Sequence, residues 1–401
     1  MPKRIVSLFS GCGGLDLGFK GGFRFGDNEY PRLDTHIVFA NDFDQDAQRC
    51  YNANPLLHQQ DEADCILADI RTIDANDIPE FDILLAGFPC QPFSNAGKRK
   101  GVHDNNGRGT LFEECERIIR AQIENGHRPE GFVFENVRGI LSSKMPDGVT
   151  SVPDEIRNRM NALGYNVSMR LVCAADYGVP QKRYRVLIVG VDNQLGIGDF
   201  DFDRMQDVVR QYGIPSEHFG RKEKLLLGYI LQGVDVLPDN DVWDYSPGTQ
   251  HMVDLIGGCT HGIEALRFFH QGYRVEDLPE ACFEGRSWKD IPYDQLSPRF
   301  RNIADNPKRY HAPKFFRRFA FGEINGTITA SAQPDKCGIT HPIYNRRFSV
   351  RECAIIQSFP DDYTFNAIPL QSIYKVIGNA VPPVMAWVLA TALLNFLQDC
   401  S

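Results

Sequence analysis

The segment RIVSLFSGCGGLDLGF, residues 4–19, places an apolar β run directly before a glycine-rich turn and a helical pattern. Arg4 to Phe9 is typical of a buried strand, and the apolar residues from Leu15 to Phe19 recur at helical spacing. The glycines between them let a ligand approach the backbone, and the turn places amide N–H groups at a helix N-terminus. The segment therefore predicts the first strand–turn–helix unit of an α/β sheet, with a ligand site at the turn.

Strand and helix patterns continue to alternate through the first half of the chain. Continuous apolar strands joined by helices are typical of an α/β fold with a doubly wound, mostly parallel sheet covered by helices on both faces. The later strands are predicted at Ile37 to Ala40, Asp82 to Phe88, Gly131 to Glu135, Val167 to Val172 and Arg185 to Val191, and further helices at Gln45 to Tyr51, Leu111 to Glu124, Val350 to Gln357 and Val384 to Leu397.

The stretch from Asp192 to about Gly326 differs from the rest, because it is irregular and rich in aromatic and turn residues. We therefore expect two domains. The larger consists of residues 1–192 and 346–401, and the smaller, residues 193–345, is inserted between its two parts. The last helix should pack back beside the first.

The composition is that of a folded protein with reduced thiols. Hydrophobic residues make up 42% and charged residues 24% of the 401 residues, which is enough apolar material for a sizeable core. The 11 cysteines include no CxxC pair and the N-terminus has no secretory apolar region, so we expect a cytoplasmic protein without structural zinc or another metal. The longest apolar stretch, Val384 to Leu397, is too short to span a bilayer. A net charge of −9 gives no overall attraction to nucleic acid, so any such attraction must be local.

The segment Gly87-Phe88-Pro89-Cys90-Gln91-Pro92-Phe93-Ser94 places a cysteine directly after an apolar strand. Pro89 precedes this cysteine and Pro92 follows it, which makes the turn stiff. Open α/β sheets bind their ligands at the carboxyl ends of their strands. We therefore interpret Cys90 as a thiol held for nucleophilic attack.

Acidic residues follow other strands at the same edge of the sheet. Asp42 ends the second strand, next to Phe43, and Asp69 follows a short apolar run further along. A carboxylate at such a place can accept hydrogen bonds from ribose hydroxyls, and an aromatic ring beside it can cover an adenine. Each acid alone is typical of a helix cap or a solvated loop, but together they favour an adenosyl ligand. A nicotinamide dinucleotide is disfavoured, because its fingerprint needs a third glycine where this chain has Asp16.

Glu135, Arg183 and Arg185 form a second group of candidates. Glu135 ends a buried strand, where partial loss of hydration suits a carboxylate to hold or pass a proton. Arg183 and Arg185 lie two residues apart in a segment typical of an edge strand, so we expect them on one face. The alternatives are a structural carboxylate and a solvated strand face.

Six segments of the chain resemble the motifs of the DNA (cytosine-5)-methyltransferases of bacterial restriction–modification systems, and they occur in the order found in that family. They span nearly the whole chain outside the irregular region. The six segments are Phe9 to Gly14, Gly87 to Ser94, Glu135 to Val137, Gln181 to Arg185, Arg351 to Pro360 and Gly378 to Pro383. Two departures are mild: Ser10 and Cys12 vary within the first motif, and Ala380 stands where some members carry serine.

The resemblance implies a reaction, with S-adenosyl-L-methionine as cofactor and double-stranded DNA as partner. Cys90 would attack C6 of a cytosine flipped out of the duplex, and Glu135 would hold the ring at N3. Arg183 would stabilise the O2 and phosphate side, with Arg185 in support. The implied cofactor contacts are Phe9, Ser10, Gly11, Gly13, Gly14, Leu15, Asp42, Phe43, Asp69, Ile70, Pro89, Leu111, Asn379, Ala380 and Val381.

The resemblance also assigns target recognition to the inserted domain. Arg299 to Arg318 holds seven lysines and arginines against one acid, with aromatic residues interleaved, a pattern typical of a DNA-binding patch. Thr327 to Ala330 resembles a short family marker near the end of this region. Asn95 to Gly109, rich in glycines and cations, resembles a loop that closes over phosphates. The alternatives are a solvated basic face and an ordinary surface loop.

Two other functions remain open at this point. A tRNA cytosine-5 methyltransferase would share the fold, and a catalytically inactive DNA-binding homologue would share the recognition domain. The inactive homologue is expected to lack Cys90, Glu135 or Arg183, and all three are present. We expect an active enzyme that works as a monomer on DNA, without membrane association. A restriction endonuclease would be a functional partner and not a bound subunit.

Overall fold

Alternating strands and helices build a large sheet with helices on both faces in the computed structural model of this chain. The structure describes residues 1–58, 62–88, 111–145, 147–234, 237, 240–260, 262–306 and 315–399. The expected nucleophile Cys90, its neighbour Pro89 and the expected closing loop from Asn95 to Gly109 lie outside the described residues.

The described strands form one large sheet and several short pairs. They are β1 (Lys3–Leu8), β2 (Phe23–Phe25), β3 (Asn28–Tyr30), β4 (Thr35–Asp42), β5 (Cys65–Leu67), β6 (Ile83–Ala86), β7 (Gly131–Val137), β8 (Tyr165–Cys173), β9 (Gln181–Lys182), β10 (Tyr184–Asp192), β11 (Arg286–Ser287), β12 (Arg317–Arg318) and β13 (Asn325–Gly326). Seven of them form the sheet in the order β5-β4-β1-β6-β7-β10-β8. The strands from β5 to β7 pair in parallel, whereas β10 lies antiparallel between β7 and β8. The predicted α/β fold with a mostly parallel sheet is confirmed.

The helices follow the strands in alternation through the first half of the chain. They are α1 (Gly14–Lys20), α2 (Gln45–Asn52), α3 (Phe112–Glu124), α4 (Val152–Ala162), α5 (Asp203–Gln211), α6 (Leu227–Ile230), α7 (Pro247–Ile256), α8 (Gly262–His270), α9 (Pro298–Asp305), α10 (Val350–Ile356), α11 (Leu370–Asn379) and α12 (Pro383–Gln398). Asp44 begins α2 by accepting hydrogen bonds from the N–H groups of Asp46 and Ala47. Ser349 and Glu352 form a capping box at the start of α10.

The sheet is buried on both faces, which explains why its strands are continuous apolar runs. Ile5 and Val6 are successive residues of β1 and point to opposite faces, yet neither is exposed to solvent. On one of these faces, α12 packs beside α1. A Cβ on Gly18 would lie 2.3 Å from Ala386 Cβ, so the two helices approach closely only because residue 18 is glycine. The C-terminal part of the chain thus lies against the first strand–helix unit.

The stretch Leu370–Gln398, which contains α11 and α12, is long and apolar enough to cross a membrane by length and composition alone. However, 94% of its most apolar window is buried inside the protein. Such burial is typical of the core helix of a folded domain.

The region after β10 begins against the main sheet before it turns irregular. Phe200 stacks edge-on with Phe396 of α12, and the Arg204 guanidinium of α5 lies over the same ring. Further along, β13 pairs in parallel with β9, which joins the end of the irregular region to the first part of the chain. The stretch from 193 to about 214, which we expected to open the second domain, therefore packs on the first.

Asp16 gives the fold a testable pH dependence. Its carboxylate is fully buried in α1 and accepts a hydrogen bond from Ser7 Oγ at 2.6 Å. Burial raises the pKa of this carboxyl to about 6 from an ordinary value of 3.8. Because the folded-state pKa lies above the unfolded one, protonation of Asp16 stabilises the fold at low pH, and this stability is lost as the pH rises through 6.

We expect Asp16→Asn to remove this dependence. Between pH 5 and pH 8 the free energy of unfolding of the wild type should fall by roughly 1–2 kcal/mol more than that of the variant. Urea unfolding of both proteins at the two pH values measures the difference. Parallel changes in the two proteins would contradict the assignment.

Candidate active site

The turn between β1 and α1 is shaped by glycines. Gly11 and Gly13 have φ angles of +59° and +81°, in the left-handed region that favours glycine. A Cβ on Gly13 would lie 2.4 Å from Leu57 Cδ1, and a Cβ on Gly14 would lie 2.2 Å from the carbonyl oxygen of Val381. The turn is thus packed between the segment after α2 and the segment that joins α11 to α12.

Asp42 fastens this turn to the end of β4. Its Oδ2 accepts a hydrogen bond from the Gly11 N–H at 2.8 Å, and its Oδ1 accepts one from the Asp44 N–H at 2.8 Å. Burial raises the pKa of the Asp42 carboxyl, and these backbone hydrogen bonds oppose the rise. Ser10 adds a second tie, because its N–H donates to the Asn41 carbonyl at 3.0 Å. The carboxylate is therefore fixed in place and keeps lone pairs for a hydroxyl ligand.

Large apolar side chains are exposed beside Asp42. Phe43 is 57% exposed, and Ile66 and Leu67 of β5 are 46% and 44% exposed. Leu67 is the register partner of Asp42 in the pairing of β4 with β5. Apolar groups left open at the carboxyl edge of a sheet suit a flat, partly apolar ligand. Sequence reasoning missed Ile66 and Leu67, although an apolar run just before Asp69 was the available signal.

Three other expected cofactor contacts have different surroundings. Asp69 pairs with Arg71 of its own turn, with Arg71 Nε 2.9 Å from Asp69 Oδ1, and this hydrogen bond lowers the pKa of Asp69. Ile70 and Leu111 are buried in the same apolar cluster on one face of the sheet. Their contact with a cofactor stays a prediction.

Glu135 and Arg185 form a close ion pair on neighbouring strands. Arg185 Nε lies 2.5 Å from Glu135 Oε1, and both side chains are about nine-tenths buried. The pair sits between β7 and β10, where Glu135 is the register partner of Leu187. Since β10 has a neighbour on each side, the expected edge strand and the alternative of a solvated strand face are both wrong for Arg185.

The end of β6, from which the chain runs to Cys90, lies against Glu135 and Asn136. A Cβ on Gly87 would lie 3.8 Å from Glu135 Oε2. Asn136 Nδ2 donates a hydrogen bond to the Phe88 carbonyl oxygen at 3.3 Å, two residues before Cys90. The structure thus places Glu135 and its partner Arg185 beside the end of β6, a few residues before the expected nucleophile Cys90 in the sequence.

Arg183 has surroundings that differ from those we expected. Its guanidinium is fully buried. Nη1 donates to the Ile328 carbonyl at 2.9 Å, and Nη2 donates to the carbonyls of Gly378 and Ala380 at 3.0 Å each. These contacts join Arg183 to two backbone segments that lie far from Glu135 in the sequence. Arg185 pairs with Glu135, so Arg183 and Arg185 do not lie on one face as expected.

The sequence profile of the C-5 cytosine-specific DNA methylase family matches residues 3–395. The chain belongs to this family. It is therefore an enzyme of the C-5 cytosine-specific DNA methylase class, and the resemblance carried by the six motifs is confirmed.

Relatives match this methylase over nearly its full length. The type II methyltransferase M.FnuDI of Fusobacterium nucleatum is 30% identical, over 99% of this chain and 95% of the relative. M.NgoFVII of Neisseria gonorrhoeae, also a type II methyltransferase, is 31% identical, over 99% of this chain and 88% of the relative. Among solved structures, a prophage-encoded DNA modification methyltransferase from E. coli has a TM-score of 0.58 at 21% identity, with 99% of both chains covered, and supports the fold.

In the described part of the basic aromatic segment, the aromatic rings are buried, whereas the Arg299 side chain is exposed. Phe300, Phe315 and Phe316 are buried together, with ring centroids 5.1–5.2 Å apart. Arg317 pairs with Glu323, and Arg318 is almost fully buried, which lowers its pKa to about 10. These aromatic residues build a small core, because apolar rings gain more from mutual burial than from exposure. Whether the cations of the segment meet DNA stays a prediction. Lys308, Arg309, Tyr310 and Lys314 lie outside the described residues.

One group in the described part of the methylase has the donor types of a metal site. Ligand atoms of Asp176, Glu217 and His218 lie within 4.8 Å of one another. Lys182 Nζ, however, lies 2.5 Å from Glu217 Oε1. The lysine already supplies positive charge to the group, so we assign no metal to it.

Proposed function

We propose that this methylase transfers a methyl group from S-adenosylmethionine to C5 of a cytosine within a short specific sequence of duplex DNA. The relatives named above are type II methyltransferases, which supports a role in protecting DNA beside a separate restriction endonuclease in a bacterial cytoplasm. We further propose that the protein acts as a monomer on DNA. The observation that carries the proposal is the Glu135–Arg185 pair beside the end of β6, from which the chain leads to Cys90.

The chemistry that these residues supply follows from the weak reactivity of cytosine C5. Addition of the Cys90 thiolate to C6 forms a C–S bond and moves an electron pair toward C5, while Glu135 shares a proton with N3. C5 would then take the methyl group with this electron pair as the bond between that methyl and the sulfonium sulfur breaks, which leaves S-adenosylhomocysteine as the leaving group. Loss of the C5 proton to a base returns the electron pair, expels Cys90 as thiolate and restores the ring. C6 is not reachable inside a duplex, so the cytosine must first be flipped out.

Arg185, and not Arg183, suits the contact with the O2 side of the ring. Arg185 pairs with Glu135, so a ring held by Glu135 would lie within reach of its guanidinium. The fully buried Arg183 already donates to the backbone carbonyls of Ile328 and of residues 378–380. We therefore revise the roles predicted from the sequence and propose Arg183 as a positioning residue.

The cofactor residues fit an adenosyl group that bears a positively charged sulfonium. Asp42 offers a fixed carboxylate at the carboxyl end of β4, and Phe43 offers an open ring beside it. In the glycine turn, Gly11 has no neighbour within 4 Å of a Cβ position, so the backbone there is open to a ligand. When bound, S-adenosylmethionine supplies the electrophilic methyl group. Asn379, Ala380 and Val381 would close the site from the side of α11 and α12.

A direct test supplies the purified protein with S-adenosylmethionine that carries a tritiated methyl group, together with unmethylated duplex DNA or tRNA. We expect label in DNA cytosine and none in tRNA. Label in tRNA alone would establish the tRNA methyltransferase alternative. No label in either, with cofactor binding retained, would favour the inactive DNA-binding homologue.

We expect Asp42→Ala to weaken S-adenosylmethionine binding by about 1–3 kcal/mol, because a buried carboxylate contact to ribose is lost. Titration calorimetry measures the affinity. Asp192→Ala is a matched control, since Asp192 is also a buried acid that ends a strand, but β10 runs antiparallel and ends at the opposite edge. Unchanged affinity in Asp42→Ala, or an equal loss in both variants, would place the ribose elsewhere.

We also propose that the inserted region chooses the DNA sequence. Exchange of residues 215–324 for the matching region of a relative with another specificity should redirect methylation to that relative's site. The exchange keeps 193–214, which packs on α12, and β13, which pairs with β9. Bisulfite sequencing reads out the site. A folded chimera that still methylates the original sequence would show that recognition resides elsewhere.

A further inference from the structure

Two backbone segments meet around Arg183, and both have a proposed role. Residues 325–330, here called the recognition segment, leave the inserted region and contain the marker Thr327 to Ala330. Residues 378–381, here called the cofactor loop, run from the last turn of α11 toward α12, and Val381 lies against Gly14 of the glycine turn. One segment continues from the proposed DNA-reading region, and the other borders the proposed cofactor site. The position of one segment relative to the other therefore matters for the reaction.

The Arg183 guanidinium bridges the two segments directly. One nitrogen, Nη1, binds the Ile328 carbonyl in the recognition segment, and the other, Nη2, binds the carbonyls of Gly378 and Ala380 in the cofactor loop. The planar fork of arginine fixes the angle as well as the distance between its acceptors. Lysine, a single point donor, would not span both sides in this way.

Gln181 and Gln357 form a second bridge, which connects Ile328 in the recognition segment to Ala380 in the cofactor loop. Gln181 Oε1 accepts a hydrogen bond from the Ile328 N–H at 2.8 Å, and Gln181 Nε2 donates to Gln357 Oε1 at 2.5 Å. Gln357 Nε2 then donates to the Ala380 carbonyl at 2.7 Å. Both backbone polar groups of Ile328 are therefore held, and the Ala380 carbonyl is shared by the two bridges. Gln181, Arg183 and Gln357 are all fully buried, where a broken hydrogen bond is costly.

Gly378 brings the two backbones into contact. A Cβ on this residue would lie 2.4 Å from Ala330 N and 2.4 Å from the carbonyl carbon of Thr329. Such distances leave no room for a side chain. The recognition segment therefore packs directly on the cofactor loop, with no side chain of residue 378 between them.

We propose that Gln181, Arg183 and Gln357 form a buried clasp through which cofactor binding orders the recognition segment for DNA. The clasp residues are positioning residues, since they hold backbone and not the reacting atoms. A ligand that orders the cofactor loop also restricts the motion of the Ala380 carbonyl, which both bridges share. Because the clasp connects this carbonyl to Ile328, the motion of the recognition segment is restricted as well. The proposal rests on the proposed function only in taking residues 378–381 as cofactor contacts.

Hydrogen exchange with S-adenosylhomocysteine as the probe tests this clasp without DNA and without turnover. In the wild type, saturation should slow exchange in both the cofactor loop and the recognition segment, by about tenfold or more at the Ile328 amide. In Gln357→Met, which keeps the side-chain length but removes the donor and acceptor, the cofactor loop should still be protected. At the Ile328 amide of this variant, saturation should slow exchange by less than about twofold.

Gln122→Met is the matched control. Gln122 is also a buried glutamine, whose Nε2 donates to the backbone carbonyls of Ile78 and Pro79, far along the chain from the clasp. This variant also removes buried hydrogen bonds to backbone carbonyls, and it should keep the full slowing of exchange at the Ile328 amide. If Gln357→Met does not fold, Gln181→Met serves instead, because it breaks the same bridge at its Ile328 end and leaves the cofactor loop unchanged.

The outcomes separate this inference from the proposed function. No binding of S-adenosylhomocysteine to the wild type by calorimetry would contradict the proposed cofactor, and the inference with it. Binding without protection of the recognition segment in the wild type would overturn the inference alone. Full protection in folded Gln357→Met would also overturn it.

Discussion

Replacing Cys90 with serine is expected to abolish methyl transfer while DNA and cofactor binding persist. A serine hydroxyl is almost wholly protonated at neutral pH, and it is a far poorer nucleophile than a thiolate. Serine has nearly the size of cysteine, so the substitution changes little besides the nucleophile. Tritium transfer to DNA measures the activity, and binding is measured by calorimetry with S-adenosylhomocysteine and by titration of labelled duplex.

Cys337→Ser is the control for a general effect of removing a thiol. Cys337 Sγ lies 3.4 Å from the Gln333 carbonyl, where a hydroxyl can donate in its place. This variant should methylate DNA at the wild-type rate. Turnover by Cys90→Ser near that of the control would remove the covalent mechanism from the account.

Replacing Glu135 with glutamine is expected to lower kcat by about 10²–10⁴-fold, the usual contribution of a positioned proton-transfer group. Glutamine keeps the size of the side chain but cannot share a proton with N3, and it leaves the buried Arg185 without its carboxylate. Cofactor affinity should change little, since Glu135 lies beside β6 and not at the glycine turn. Single-turnover kinetics on cognate DNA measure the loss.

Glu352→Gln separates chemistry from the general cost of breaking a buried ion pair. Glu352 is mostly buried and lies 2.7 Å from Arg346, outside the proposed site. We expect this variant to lose stability yet retain kcat at a temperature where it is folded. Equal losses of kcat in the two variants would show that Glu135 acts through the fold and not on the cytosine.

The sequence predicts an element well when the local pattern of its residues already reflects how the element packs in the fold. Residues 4–19 combine a buried strand, a glycine turn and a helix, and the structure has β1 and α1 there with boundaries that differ by one residue. By contrast, β5 is only three residues long, and it exists because β4 offers it a partner. No periodicity can indicate so short a strand.

The roles of the two arginines show where pattern reasoning reaches its limit. Alternation along a strand placed Arg183 and Arg185 on one face, but Arg183 falls between β9 and β10 and turns inward to long-range backbone carbonyls. Likewise, cations alternating with aromatic residues between Arg299 and Arg318 fit a binding patch as well as a small core. The packing of Phe300 with Phe315 shows that these rings belong to a core, while the DNA contact of the cations stays a prediction. Such partners come from distant segments, which the local sequence does not contain.

Bisulfite sequencing of DNA from a host that expresses this chain tests whether the protein methylates cytosine in a specific DNA sequence, with a host that expresses Cys90→Ser as the reference. We predict full conversion resistance at cytosines within one short recurring sequence, and none in the reference. Resistance absent from both hosts, while the wild-type protein is folded and abundant, would contradict the assignment of sequence-specific DNA cytosine methylation.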